Sequence, residues 1–112
     1  MPGIEVFQLV DGQYKIVDYI KSDDEIDKET FARIKEKYPD KPGSGESIEM
    51  KMLRIGILNP QDPSFLAYND FVEKIRAEGK AEKQAAAEAR AQLKEVELPQ
   101  EESDEVKIWV RE

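Results

Sequence analysis

An Asp-Gly pair set between two β-rich runs constrains this chain more than any other feature. Residues Ile4 to Ile20 read IEVFQLV-DG-QYKIVDYI. Asp11-Gly12 suits a two-residue type I′ turn, because that turn needs positive φ at both central positions. In this register Leu9 faces Tyr14 and Phe7 faces Ile16, while Val6 faces Val17 and Ile4 faces Tyr19 on the other side. Glu5 then falls opposite Asp18, a like-charge pair that is destabilising unless it is solvated or bridged by a cation, and the solvated edge is the preferred reading. Both faces of the hairpin are apolar, and a lone hairpin is not stable in water, so other elements must cover it.

Further along, SDDEID (Ser22 to Asp27) reads as a turn and helix entry. With Asp27 as N-cap, Ile26 lies just outside the helix and Phe31 four positions inside, the arrangement of a hydrophobic staple. The predicted helix runs from about Lys28 to Tyr38, with Phe31, Ile34 and Tyr38 on one face. Pro39 stops it, and DKPGSGES (Asp40 to Ser47) is a loop. Ile48 to Leu58 then reads as a strand whose alternation changes phase near Met52-Leu53. A bulge, or a strand covered on both faces, accounts for that change.

Asp62-Pro63 is a strong helix start, an N-cap followed by proline at the first helical position. Phe65, Tyr68, Val72 and Ile75 follow on one stripe, with Phe71 beside them. Gly79 either ends this helix or is tolerated inside a longer one, at about 1 kcal/mol relative to Ala. Ala81 to Val96 has high helix propensity and few large apolar side chains. LPQEESDE (Leu98 to Glu105) reads as an acidic linker. VKIWVRE closes the sequence with clean alternation: Val106, Ile108 and Val110 on one side, Lys107, Trp109 and Arg111 on the other.

Composition narrows the chemistry. The 112 residues include 25 acidic and 17 basic ones, a formal net charge of −8, which argues against a phosphate-tracking nucleic-acid surface. There is no cysteine and no histidine, so thiolate metal sites and the commonest general base are both excluded. The first residues lack the basic-then-apolar pattern of a signal peptide, and no apolar run approaches the roughly 20 residues needed to span a bilayer. The cluster Asp23, Asp24, Glu25, Asp27 and Glu29 lacks the spacing and central glycine of a calcium loop, and reads as helix entry. Glu49-Met50-Lys51 has the Glu-x-Lys spacing of some metal-dependent nucleases when carried on a strand. The nearest upstream candidate for its acidic partner, Asp40, lies in a loop, so an exposed strand face with two compensating charges is the preferred reading.

These features predict an α+β fold. A small mixed or antiparallel sheet, made of the N-terminal hairpin, a central strand at Ile48–Leu58 and the C-terminal strand, is covered by two to three helices. Residues 1–97 form a single small domain and 98–104 an acidic linker. Residues 105–112 form a strand that pairs within the chain or with a neighbour. The apolar strand surface exceeds what the helices can cover, and such surplus marks interfaces. The expected function is therefore non-enzymatic assembly through protein–protein contacts, as a homo-oligomer or a subunit of a larger particle; a phage virion component fits. The interface candidates are Ile4, Val6, Val17, Tyr19, Ile108, Trp109 and Val110. No catalytic residue, cofactor, metal, direct nucleic-acid contact or membrane is expected, and the location is cytoplasmic or in a particle assembled there. The alternative is an acidic inhibitor or adaptor occupying a basic site on a nucleic-acid-handling enzyme, in the manner of anti-restriction or anti-CRISPR proteins.

Overall fold

The computed structural model describes residues 2–98 and 106–112, and of Val106 the backbone alone. The elements are β1 (Ile4–Val10), β2 (Gln13–Ile20), α1 (Asp23–Lys37), α2 (Ile48–Leu58), α3 (Pro63–Ala91), β3 (Lys94–Leu98) and β4 (Val106–Val110). The fold is α+β, with a four-stranded mixed sheet in the order β2-β1-β4-β3. Two compact units emerge, one formed by Met1–Ile26 with Glu82–Glu112, the other by Asp27–Ala81.

The first unit holds the sheet. Asp11 and Gly12 take φ of 52° and 79°, the positive values a type I′ turn requires. Leu9 pairs with Tyr14 and Phe7 with Ile16, as the two-residue register demands. Beyond them the register shifts: Val6 pairs with Asp18, Glu5 with Tyr19 and Ile4 with Ile20. Val17 is the extra residue of a bulge, and the bulge removes the expected opposition of Glu5 and Asp18. Asp18 instead meets a cation, Arg111 Nη1 at 3.3 Å.

The C-terminal strand pairs inside the chain. β4 lies parallel to β1, with Val6 opposite Trp109 and Phe7 opposite Val110, and the Arg111 N–H donates to the Phe7 carbonyl at 2.9 Å. On its other side β4 runs antiparallel to β3, with Val96 opposite Ile108. The helix expected up to Val96 therefore ends at Ala91, and Lys94–Leu98 is a strand. The alternation of KEVEL explains this. Val96 and Leu98 share the side of Ile108, while Glu95 and Glu97 meet Lys107 at 3.4 and 3.8 Å on the other. Leu98, expected in the linker, ends β3; the remainder of that linker, residues 99–104, lies outside the described residues, as does residue 105 of the expected terminal strand.

The first helix begins earlier than expected. Ser22 and Glu25 form a capping box: Ser22 Oγ accepts from the Glu25 N–H at 3.2 Å, and Glu25 Oε1 accepts from the Ser22 N–H at 3.2 Å. This reciprocal pair outcompetes Asp27, so Ile26 lies within the helix and is buried. Phe31, expected on the inner face, is exposed.

The second unit is helical. Its core joins Ile34 of α1 to Val72 and Ile75 of α3, with Tyr68 and Phe71 packed against them. Tyr38 meets Tyr68 edge-on at 5.0 Å between ring centroids. Asp62 caps α3 as its sequence implies, its Oδ1 accepting from the N–H groups of Ser64 at 2.9 Å and Phe65 at 3.2 Å.

Ile48–Leu58, expected as the central strand of the sheet, is the helix α2. Ser47 caps it, its Oγ accepting from the Met50 N–H at 3.2 Å. The inward residues are Met52 and Gly56, one helical turn apart, with Ile48 and Ile55 half-buried beside them. The phase change at Met52-Leu53 is thus a helical period rather than a bulge. Apolar residues at most positions had disguised it.

Two glycines set close helix approaches here. Gly79 does not break α3, and a Cβ built on it would stand 2.5 Å from Thr30 Oγ1 of α1. A Cβ on Gly56 would run into the Phe65 ring of α3. Gly56→Ala therefore gains about 1 kcal/mol of helix propensity but pays the greater overpacking cost of about 1–3 kcal/mol. Urea unfolding is expected to show net destabilisation; a stabilised variant would mean that the ring yields freely.

Candidate functional site

The outer surface of α2 is the least explained part of the second unit. Met50, Leu53 and Ile57 fall at i, i+3 and i+7, one stripe of the helix. They are 58%, 54% and 72% exposed, and the neighbouring Leu58 is 81% exposed. A helix with apolar side chains on both its inner and its outer side is ordinarily covered on both. Here the inner side packs and the outer side does not.

Lys51 and Arg54 border this stripe, and both also line a hollow of about 500 Å³ with Pro39, Lys41, Ser44, Glu46, Ser47 and Ile48. The size falls within the range of small-ligand sites, about 300–1,000 Å³. Glu46 supplies one carboxylate, which pairs with Arg54 at 2.7 Å. Lys41 and Lys51 make no ion pair among the described residues.

A three-centre junction holds the hollow's frame. Lys35 Nζ lies 2.5 Å from Glu49 and 3.0 Å from Asp40, and Asp40 also accepts from the Ile48 N–H at 2.8 Å. Loop, α1 and the first turn of α2 are thereby tied together. Lys35 is held above the ordinary lysine value, chiefly by its bond to Glu49 and then by Asp40. The Ile48 N–H, followed by Lys35, holds Asp40 below the usual carboxylate range. Burial pushes Glu49 up, but Lys35 and a backbone N–H together outweigh it and the net shift is downward.

This junction also corrects the Glu-x-Lys reading. Glu49, Met50 and Lys51 lie on a helix, and both carboxylates of the supposed pair already share Lys35. No group of three or more metal-ligating side chains occurs among the described residues. Of the acidic cluster, Glu25 is engaged by the Tyr19 hydroxyl at 2.6 Å and by Ser22. The bond from Tyr19 is the main cause that holds Glu25 low, and the same bond raises Tyr19.

The sequence-derived interface residues divide. Val6, Ile108 and Val110 are buried in the chain's own core, and Ile4 is half-buried. Val17, Tyr19 and Trp109 are exposed, as are Leu9, Tyr14 and Ile16 on the hairpin. β2 is an edge of the sheet, and every residue from Gln13 to Tyr19 is exposed along it. The α2 stripe was missed because Ile48–Leu58 reads as a strand; Ser47 followed by Glu49 in the first turn was the available helix signal.

No family model, no curated protein and no solved structure matches this chain. Among the described residues no helix is long and apolar enough to cross a membrane.

The junction makes stability depend on pH at both ends. Asp40 and Glu49 have depressed values, so their contribution is complete above about pH 4 and is lost as pH falls through the folded values. Lys35 is raised, so its contribution is complete below about pH 10 and is lost as pH rises through the folded value. Lys35→Met is expected to lower Tm at neutral pH and to flatten its fall below about pH 4. An equal loss of Tm at every pH, measured by circular dichroism, would contradict the linkage.

Proposed function

We propose that this is a non-enzymatic protein that works by assembly through protein–protein contacts, as a homo-oligomer or a subunit of a larger particle. The edge strand β2 carries this reading. It is eight residues long, and Tyr14, Ile16, Val17 and Tyr19 stand exposed along it. Edge strands with unpaired backbone groups and apolar side chains are templates for pairing with another chain. The opposite edge, β3, is only five residues long and three of them, Lys94, Glu95 and Glu97, are charged, against Lys15 and Asp18 among the eight of β2; short, charge-dense edges discourage such pairing. Self-association therefore runs edge to edge through β2. Pairing is confined to Gln13–Ile16 by the bulge at Val17, since a bulge interrupts the regular ladder. A phage virion component, assembled in a cytoplasm, fits this reading.

A specific observation favours a second reading. The residues 27–81 carry ten acidic and ten basic side chains, while the rest of the chain carries fifteen and seven. The whole net charge of −8 thus belongs to the sheet-bearing unit. That segregation suits an acidic inhibitor or adaptor which sets this unit on a basic site of a nucleic-acid-handling enzyme.

Light scattering separates the two. Assembly predicts a mass several times 12.9 kDa that is insensitive to salt and falls to the monomer value in Ile16→Glu. A chain that is monomeric at every concentration contradicts self-assembly. Binding to a basic partner that weakens steeply with salt supports the second reading.

A further inference from the structure

We propose that the outer face of α2 and the adjoining hollow form a docking site for an acidic amphipathic helix of a partner protein. The inference rests on the assembly reading and adds to it a second surface, distinct from β2, with a partner of stated chemistry.

Apolar contact comes from Met50, Leu53 and Ile57, which stand outward along about two turns of helix. Covering these side chains removes their exposed apolar surface from water, which favours docking. A stripe at i, i+3 and i+7 is what a second helix covers when it lies along the first.

Charge selects the occupant. Lys51 and Arg54 border the stripe, and Lys41 joins them around the hollow. Against these three cations stands one carboxylate, Glu46, already paired to Arg54 at 2.7 Å. Arg54 has five donors and only one of them makes that bond, so it retains capacity for a second acceptor. Lys41 and Lys51 make no ion pair among the described residues. The chain's overall acidity does not oppose an acidic partner here, because the helical unit itself is neutral, with ten charges of each sign. A second copy meeting the same face across a two-fold axis would bring Lys51 and Arg54 toward their own equivalents, which costs rather than gains energy. Carboxylates flanking an apolar stripe complement both halves of the surface. They sit over Lys51 and Arg54, and one enters the hollow toward Lys41.

Two fluorescein-labelled amphipathic helical peptides, titrated against the intact chain by anisotropy, test this. One carries a leucine stripe flanked by glutamates; the other has lysines in place of the glutamates. The glutamate peptide is expected to bind at least about tenfold more tightly than the lysine peptide, with the preference reduced by salt. Lys51→Glu with Arg54→Glu is expected to invert the preference. Leu53→Glu is expected to abolish binding of the glutamate peptide. All three positions are exposed, and unchanged circular dichroism verifies that the variants fold. Equal binding of both peptides, or no binding of the glutamate peptide, overturns the proposal. Full displacement of that peptide by oligothymidylate, with Leu53→Glu without effect, also overturns it and marks a polyanion site. A drop in oligomeric mass in Leu53→Glu without peptide binding would assign the face to a second copy instead. Failure of the peptide with an Ile16-dependent oligomer intact removes this site and leaves the assembly reading standing.

Discussion

The start of α2 is the constraint on which the helical unit depends. Ser47 caps the helix, and Asp40 takes the Ile48 N–H while holding Lys35. These short-range bonds settle a segment whose side chains suit either a strand or a helix. Once Ile48–Leu58 is helical, Met52 and Gly56 turn inward and Gly56 lets the Phe65 ring approach the backbone. The same rotation leaves Met50, Leu53 and Ile57 largely exposed. The exposed stripe follows from the cap: a segment apolar at most positions can bury only one side when it coils.

The sheet solves a different problem. β4 comes from the far end of the chain and lies between β1 and β3, so the two ends meet in one ladder. Each strand then needs a neighbour of the right charge as well as shape. Lys107 bridges the glutamates of β3, and Arg111 answers Asp18 across the sheet. The bulge at Val17 allows the second of these, because it moves Asp18 away from Glu5 and into line with Val6. Charge is distributed unevenly between the units, with the acidic excess in Met1–Ile26 and Glu82–Glu112 and a balanced set in Asp27–Ala81.

What was legible in the sequence follows physical scale. The Asp11-Gly12 turn, the Asp62-Pro63 start and the stripe from Phe65 to Ile75 are local signals, and each forms as its residues imply. The alternation of the last strand was equally clear. Its partners were not, since register with β1 and β3 is a long-range property that β4's own residues do not encode. Two local signals competed at α1, where Ser22-x-x-Glu25 and Asp27 are both credible caps, and the reciprocal box prevailed. At Ile48–Leu58 periodicity itself was uninformative, because a run apolar at most positions fits periods of both 2 and 3.6. That one misreading concealed the candidate site. It placed the surplus apolar surface on strands, three of whose residues, Val6, Ile108 and Val110, the chain buries for itself.

The central claim is that Ile48–Leu58 is a capped helix with an uncovered apolar side. Backbone carbon chemical shifts of the intact chain measure this most directly. An unbroken run of helical Cα secondary shifts from Ile48 to Leu58, starting immediately after Ser47, is the predicted result. Strand-like shifts over that segment would contradict the account, and with it the docking face built on Met50, Leu53 and Ile57.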